Sequence, residues 1–273
     1  MMGQRLWFIA LLLGLFVYAG CKRNAGKDNT EELSTPVKAL VMQGREFLKQ
    51  SPSCATDTVR CATVSARYPL ATDGPGEAVR RINDTIDAYV RLSLGVFAAS
   101  PDDLPESLEE TADDFLQEYE AVTTEEAGFA TPWSAELEGQ VLYQSDEAVS
   151  VELTTYSYAG GAHPNYFSFL FTFDPSTGRQ LTLAEIVPDT NQVKLIAEEA
   201  FRQARELTPG ESLSEAGFFW GEPFQLPENW ALTADGLYFF YNPYEVAAYA
   251  MGITEFTIPR AKLPGMLAPK PEQ

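Results

Sequence analysis

The sequence has one histidine, three cysteines and far fewer basic than acidic side chains. A zinc site draws mainly on histidine and cysteine for its ligands, so we expect no metal and no cofactor. The 19 basic and 39 acidic residues give a net charge of −20. Such a surface repels phosphates, which argues against nucleic acid as a partner. The charge favours either an acidic, solubilising surface or a basic protein partner.

Long apolar runs are also scarce, and the run near the N-terminus is too short to span a membrane. Arg5 precedes the apolar residues 6–17, whereas a spanning helix needs ~20 apolar residues. A short basic segment, a short apolar segment and small residues at a cleavage site predict a secretory signal peptide over residues 1–20. Cys21 follows Ala-Gly as in a bacterial lipobox, so we expect a lipid anchor at Cys21. An ordinary cleaved signal peptide is the alternative.

Residues 21–36 are polar and lack an apolar period, which is typical of a tether between a membrane and a folded domain. Lys22 follows the predicted lipidated cysteine. This position carries no acidic residue of the kind that retains lipoproteins at the inner membrane, which favours the outer membrane. Both orientations there, toward the periplasm and toward the outside, fit the sequence.

The two other cysteines, Cys54 and Cys61, are separated by six residues. In an oxidising envelope such a pair predicts a local disulfide. Closing this short loop would stabilise the fold by roughly 2.5 kcal/mol in the chain-entropy model.

Hydrophobic periodicity divides the rest of the chain into blocks of strands and helices. The predicted helices cover residues 77–96, 108–122 and 192–207. The predicted strands cover residues 58–70, 137–143, 149–155, 167–173, 253–258 and, around an Asp-Gly turn, 232–241. The segment 36–49 fits either a short helix or a first strand.

Because the elements occur in blocks, we predict an α+β fold with an antiparallel sheet and helices packed on one face. Two closely associated subdomains are expected, an N-terminal region over residues 37–156 and a C-terminal region over 157–268.

The stretch 156–165, Tyr-Ser-Tyr-Ala-Gly-Gly-Ala-His-Pro-Asn, joins two alternating segments and contains the single histidine. Gly160 and Gly161 permit backbone conformations that other residues avoid, and Pro164 rigidifies the exit. His163 would hold the bend through hydrogen bonds to backbone groups.

A catalytic role for His163 is the alternative, as a general base beside a carboxylate such as Asp174 or Glu245. We favour the structural role, because a rigid corner between two core strands accounts for every residue of the motif. No catalytic residue is therefore assigned.

The C-terminal region from Phe218 to Met251 is dense in aromatic residues. Most of them must belong to the core, because alternation buries about half of each strand. Some could present a ring to a glycan or a protein. The residues that we expect to face a ligand are Trp220, Trp230, Tyr244 and Tyr249.

Three runs of the sequence resemble one protein family. Tyr158 to Pro164 resembles the Y-x-G-G-A-H-P signature of the periplasmic RsiV/PdaC-type domain family. Residues 173–187 resemble the family's F-D-x-x-T-G-x-x-L-T-L-x-D-L run. Residues 239–252 resemble its F-x-Y-x-P-Y-E-I-A-P-Y-A-x-G run, with Ala248 in place of a proline. The runs follow the family's order and cover residues 150–260.

This resemblance implies an extracytoplasmic sensing or binding domain. RsiV-type sensor domains recognise lysozyme, so the expected partner is a basic, lysozyme-like protein or a peptidoglycan glycan. Deacetylation in the family belongs to a separate metal-dependent domain with two histidine ligands, which one histidine cannot supply. The resemblance thus favours a non-catalytic envelope lipoprotein. A His163-dependent hydrolase and a structural envelope component are the alternatives.

Overall fold

The computed structural model describes residues 38–57, 59–125, 131–265 and 267. These residues all belong to one compact unit. The predicted signal peptide, the lipidation site Cys21 and the polar tether lie outside the described residues. Across the described ranges, no helix has the length and apolar character needed to cross a membrane.

Five strands form the larger sheet and lie side by side in the order of the sequence. They are β1 (Val41–Gln50), β2 (Ala62–Asp73), β3 (Trp133–Gln144), β4 (Val149–Tyr158) and β5 (Asn165–Phe173). The segment that fitted a helix or a strand is therefore a strand. The β2–β3 pair is parallel and the other pairs are antiparallel. The sheet is thus mixed, where an antiparallel sheet was predicted, because two helices between β2 and β3 return the chain across the sheet.

The two crossover helices, α1 (Gly76–Leu94) and α2 (Leu108–Glu125), pack on one face of this sheet. The buried residues of α1 recur every four positions, as expected for one face of an amphipathic helix. They are Ala78, Ile82, Ile86, Val90 and Leu94.

A smaller antiparallel sheet follows in the sequence and covers the other face of the larger sheet. Its strands are β6 (Trp230–Leu232), β7 (Gly236–Tyr241) and β8 (Thr254–Pro259). The helices α3 (Leu183–Ile186) and α4 (Thr190–Ala204) precede it.

The side chains of β7 show how the layers are stacked. Phe240 lies against Leu170 of the larger sheet, whereas Phe239 and Tyr241 point into the core beneath α4, around Phe201. The two sheets therefore lie between α1 and α2 on one outer side and α4 on the other. The predicted α+β class is confirmed.

The loop between β1 and β2 contains the predicted cysteine pair. Cys54 and Cys61 form a disulfide, with their Cα atoms 4.5 Å apart. The backbone N–H of Ser51 donates to the carbonyl oxygen of Ala62 at 2.9 Å and closes the loop. This loop explains why the strand predicted from residue 58 begins only at Ala62.

β5 forms an outer edge of the larger sheet, and asparagine side chains bind to that edge. Asn242 accepts from the backbone N–H of Ser168 at 2.7 Å and donates to its carbonyl oxygen at 3.0 Å. Asn229 accepts from the backbone N–H of Leu170 at 2.8 Å. These bonds satisfy edge groups that would otherwise be unpaired. They also attach two C-terminal loops firmly to β5.

Candidate functional site

The Gly-Gly-Ala-His-Pro motif forms the turn between β4 and β5. Gly160 and Gly161 have φ angles of +83° and +94°, a region that glycine enters without the steric cost of a Cβ. A Cβ placed on Gly161 would meet no atom within 4 Å. The backbone angle therefore requires glycine there, and packing does not. The Tyr158 hydroxyl donates to the carbonyl oxygen of Gly161 at 3.3 Å and closes the turn.

His163 is exposed, and its ring is fixed by two neighbours. Its Nδ1 lies 2.9 Å from the carbonyl oxygen of Pro164. The imidazole stacks on the ring of Tyr249, with centroids 4.1 Å apart. The Tyr249 hydroxyl donates to the same Pro164 oxygen at 2.9 Å. These are the contacts that the predicted structural role requires.

The carboxylates considered for catalysis have other partners. Asp174 follows the far end of β5, a strand of nine residues, so roughly 30 Å separates it from His163 at ~3.3 Å per residue. Its carboxylate accepts from the backbone N–H of Ser176 at 2.7 Å. The carboxylate of Glu245 accepts from the backbone N–H of Asn242 at 2.8 Å. Within the described ranges, His163 makes no ion pair or hydrogen bond with either carboxylate.

Ring contacts continue from His163 through Tyr249 to Tyr244, and a fourth ring, Trp220, lies on a neighbouring loop. Tyr244 lies 5.5 Å from Tyr249 between ring centroids. Trp220 lies on a second loop, which is joined to the first by a 2.7 Å hydrogen bond from the Phe219 N–H to the Val246 carbonyl oxygen. Trp220 is 64% exposed and Tyr244 is 56% exposed. We call this group the ring surface, and it consists of His163, Trp220, Tyr244 and Tyr249.

Trp220 and Tyr244 also have unusual backbone angles. Their φ values are +53° and +67°, in the left-handed region that costs residues with a Cβ roughly 1–2 kcal/mol. The surrounding fold must hold each residue there. Strained backbone that presents an exposed side chain is a feature of functional sites.

Arg205 supports the loop that carries Tyr249. Its guanidinium donates to the carbonyl oxygens of Met251 at 2.9 Å and Ile253 at 3.2 Å. It also lies 4.8 Å from the ring centroid of Phe218, a cation–π contact. These contacts hold the backbone that follows Tyr249 in place, and a preorganised loop lowers the entropy cost of binding.

The prediction that Trp230 faces a ligand was wrong. Trp230 is 8% exposed and pairs across the sheet with Phe239. Both side chains belong to the core beneath α4. Tyr249 is half-buried, because its hydroxyl reaches back to Pro164. Trp220 and Tyr244 are the predicted ring residues with the largest exposed areas.

A polar cleft of about 510 Å³ lies between the two sheets and contains carboxylates that are already hydrogen-bonded. Glu152 accepts from Gln140 at 2.8 Å, and Glu255 accepts from the Tyr238 hydroxyl at 2.6 Å. Burial, reinforced by Glu255, raises the pKa of Tyr238. Among the described residues, no three histidine, cysteine or acidic side chains are grouped so as to hold a metal ion.

A second cleft, of about 320 Å³, was missed by the sequence analysis. It lies where α1 ends over β4 and β5, and its lining includes Thr155, Ser157 and Phe167. The sequence does contain an indication of this cleft. Thr155 and Ser157 continue the alternation of Val151 and Leu153, so two hydroxyls occupy positions that the pattern assigns to the core.

Comparisons with known proteins match two segments of the chain to family models. Residues 56–166 match the family model "Deacetylase PdaC", and residues 186–261 match the model "Protein of unknown function (DUF3298)". The predicted division into regions 37–156 and 157–268 stays a prediction.

Relatives with sequence similarity include the immunogenic proteins MPT64 of Mycobacterium tuberculosis and MPB64 of Mycobacterium bovis. Each is 26% identical over 181 residues, which cover 66% of this chain and 78% of the relative.

Two solved structures of DUF3298 family proteins share the fold. The one from Pseudomonas aeruginosa has a TM-score of 0.62 at 22% identity and covers 85% of this chain and 95% of its own. The one from Bacteroides fragilis has a TM-score of 0.63 at 18% identity and covers 86% and 96%. The chain therefore contains a segment that matches the PdaC model, followed by a segment that matches the DUF3298 model, and this confirms the family resemblance.

Proposed function

We propose that the protein is a non-catalytic binding protein of the cell envelope, and that its ring surface contacts a basic extracytoplasmic protein. The observation that carries the proposal is the pair of exposed aromatic residues at positive φ, Trp220 and Tyr244. Tryptophan and tyrosine are enriched among the residues that dominate interface energies. Burying these two rings against a partner would recover apolar area that the free protein leaves in water.

The charge of the chain supports a basic partner. The net charge is −20, and the exposed Glu222 and Glu245 lie close in sequence to Trp220 and Tyr244. An acidic surface accelerates the encounter with a basic protein and makes it sensitive to salt. A lysozyme-like protein is the most specific form of the proposal, because the family resemblance implies lysozyme recognition.

The contacts of His163 support binding over hydrolysis. In a catalytic triad a carboxylate orients the histidine base, whereas His163 is held by the Pro164 oxygen and the Tyr249 ring, and the carboxylates of Asp174 and Glu245 bind backbone N–H groups elsewhere. In this proposal His163 contributes its ring to the ring surface and has no catalytic role. Turnover of an envelope substrate that is lost in His163→Ala, with the fold retained, would instead support the hydrolase.

The location in the envelope is a separate part of the proposal. We propose that residues 1–20 direct secretion and that a lipid on Cys21 anchors the protein in the outer membrane. Incorporation of a labelled fatty acid in cells tests this step. The label should be lost in Cys21→Ala, and retention of the label in that variant would contradict the anchor.

Binding of the soluble 22–273 fragment to hen-type lysozyme, at low and moderate salt, tests the partner. We expect salt-sensitive binding, weakened about tenfold or more by Trp220→Ala or Tyr244→Ala, which corresponds to about 1.4 kcal/mol. Tyr156→Ala is the matched control, because Tyr156 is a 41% exposed ring on β4 outside the ring surface.

Two outcomes would contradict the proposal. Lysozyme could fail to bind at either salt concentration, or all three variants could bind it equally well. Peptidoglycan fragments, used in parallel, distinguish a glycan partner from a protein partner on the ring surface.

A further inference from the structure

The second cleft lies where α1 ends before the strands beneath it. α1 ends at Leu94, and the next residue, Gly95, leaves no room for a Cβ, which would lie 2.2 Å from Leu104 Cδ2. Leu92, Ser93 and Val96 form the helix side of the cleft. Beyond the end of the helix, Phe167 of β5 is 44% exposed, whereas Thr155 and Ser157 of β4 line the cleft but stay buried.

Two hydroxyl oxygens in this cleft are buried without a hydrogen bond. Thr155 is 5% exposed, and neither its Oγ1 nor the Oγ of Ser93 has a partner among the described residues. Both residues line the cleft, together with Ser157, which is 6% exposed. A buried hydroxyl without a partner costs about 1–3 kcal/mol. Two of them at one cleft indicate groups that a ligand would satisfy.

The other face of the same strands provides an internal comparison. There the hydroxyls are paired across β4 and β5, with Ser150 Oγ 3.1 Å from Thr172 Oγ1 and Thr154 Oγ1 3.0 Å from Ser168 Oγ. Ser150 and Thr172 are as fully buried as Thr155. The unpaired hydroxyls therefore belong to the cleft and are not a general feature of these strands.

The lining of the cleft restricts the class of ligand. Of the described residues around it, none carries a charge, so an ionic ligand would find no counter-charge. Phe167 forms one wall with 44% of its surface exposed. Hydroxyls that both donate and accept, beside an aromatic ring, match the hydroxyls and the C–H face of a sugar. The volume of about 320 Å³ lies near the lower end of the ~300–1,000 Å³ range of ligand sites.

We propose that this cleft binds a neutral saccharide unit, with Thr155 and Ser93 as hydrogen-bonding groups and Phe167 as the stacking ring. The site is separate from the ring surface and takes a different class of ligand. It goes beyond the proposed protein partner, and either proposal can fail without the other.

The test is a titration of the full-length protein with N-acetylated chitotriose. Binding is measured by calorimetry and by changes in the amide chemical shifts. We expect binding with a Kd of about 1 mM or tighter, with the largest shifts at Thr155, Ser157 and the residues next to Phe167. Phe167→Ala should weaken binding about tenfold, and Thr155→Val about fivefold or more. Tyr156→Ala, on the opposite face of β4, should change it less than about twofold.

Thr155→Val keeps the shape of the side chain and removes only the hydroxyl, so its loss of binding would not reflect a failure to fold. The absence of any heat or shift up to about 10 mM sugar would overturn the proposal. It would equally be overturned if Thr155→Val and Phe167→Ala bound the sugar as tightly as the unaltered protein. Lysozyme binding by these two variants should be unchanged, which separates this site from the ring surface.

Discussion

The two ends of the β4–β5 strand pair have the same sequence pattern and opposite surroundings. Phe171 and Phe173, near the end of β5, are 2% and 0% exposed, whereas Phe167 on the same face is 44% exposed. Tyr89 of α1 contacts Phe169 and Phe171, with ring centroids 5.0 Å and 4.7 Å apart. The helix therefore covers the end of β5 that contains Phe173 and stops short of the end that contains Phe167.

We call these the closed end, at Phe171 and Phe173, and the open end, at Thr155 and Phe167. The difference shows that the length of the covering helix, and not the alternation of the strand, determines which phenylalanines are buried. It also shows which end of the strand pair can contribute to a ligand site. At the closed end every ring contributes to the core, whereas the open end has an exposed ring beside a buried hydroxyl that lacks a partner among the described residues.

The largest expected difference between the ends lies in the free energy of unfolding. Phe173→Ala should destabilise the protein by about 3–5 kcal/mol, because a buried ring is lost and a cavity remains. Phe167→Ala should cost less than about 1 kcal/mol, because much of that ring is already in water. Urea unfolding of the two variants checks this. Similar losses of stability would mean that the open end is covered in solution.

Removal of a hydroxyl should change the free energy of unfolding in opposite directions at the two ends. Thr172→Val removes the partner of Ser150 and the acceptor for the Leu232 N–H at 3.3 Å. This change should destabilise the protein by about 1–3 kcal/mol. Thr155→Val removes a buried hydroxyl that lacks a partner in the described structure, and should stabilise the ligand-free protein by about 1 kcal/mol. Thermal unfolding measures both, and a loss of stability in Thr155→Val would show that its hydroxyl is already satisfied.

The smallest expected effect on stability concerns Glu185, in the segment that follows β5 at the closed end. Hydrogen bonds from Arg179 at 3.0 Å and from the Thr182 N–H at 2.8 Å lower the pKa of Glu185 to about 2. A carboxyl whose pKa is depressed in the folded state contributes stability above its unfolded pKa of about 4.3, and loses it as pH falls toward 2. Since Glu185 is exposed, solvent screening limits the contribution to about 0.5 kcal/mol.

Urea unfolding of Glu185→Gln at neutral and acid pH measures this contribution. The variant should be less stable than the unaltered protein at pH 7, and the difference should shrink as the pH approaches 3. A difference that stays constant with pH would assign the loss to the geometry of the side chain and not to its charge.

The local elements could be predicted from the sequence, because their causes are local. The spacing of Ile82, Ile86 and Val90 specifies the amphipathic helix α1. Alternation specifies the β4–β5 hairpin, and the Gly-Gly pair specifies its turn. The three motifs specified the family. The exposure of Trp220 and Tyr244 was also expected from the sequence.

Features that depend on contacts between distant elements could not be predicted in this way. Trp230 is buried because β6 faces the core beneath α4, and β2 and β3 are parallel because two helices cross between them. The cleft exists because α1 ends at Leu94, above strands that continue past it. A strand pattern records which face a residue occupies, but the element that covers this face comes from a distant part of the chain. The unpaired hydroxyl of Thr155 is a consequence of that distant contact.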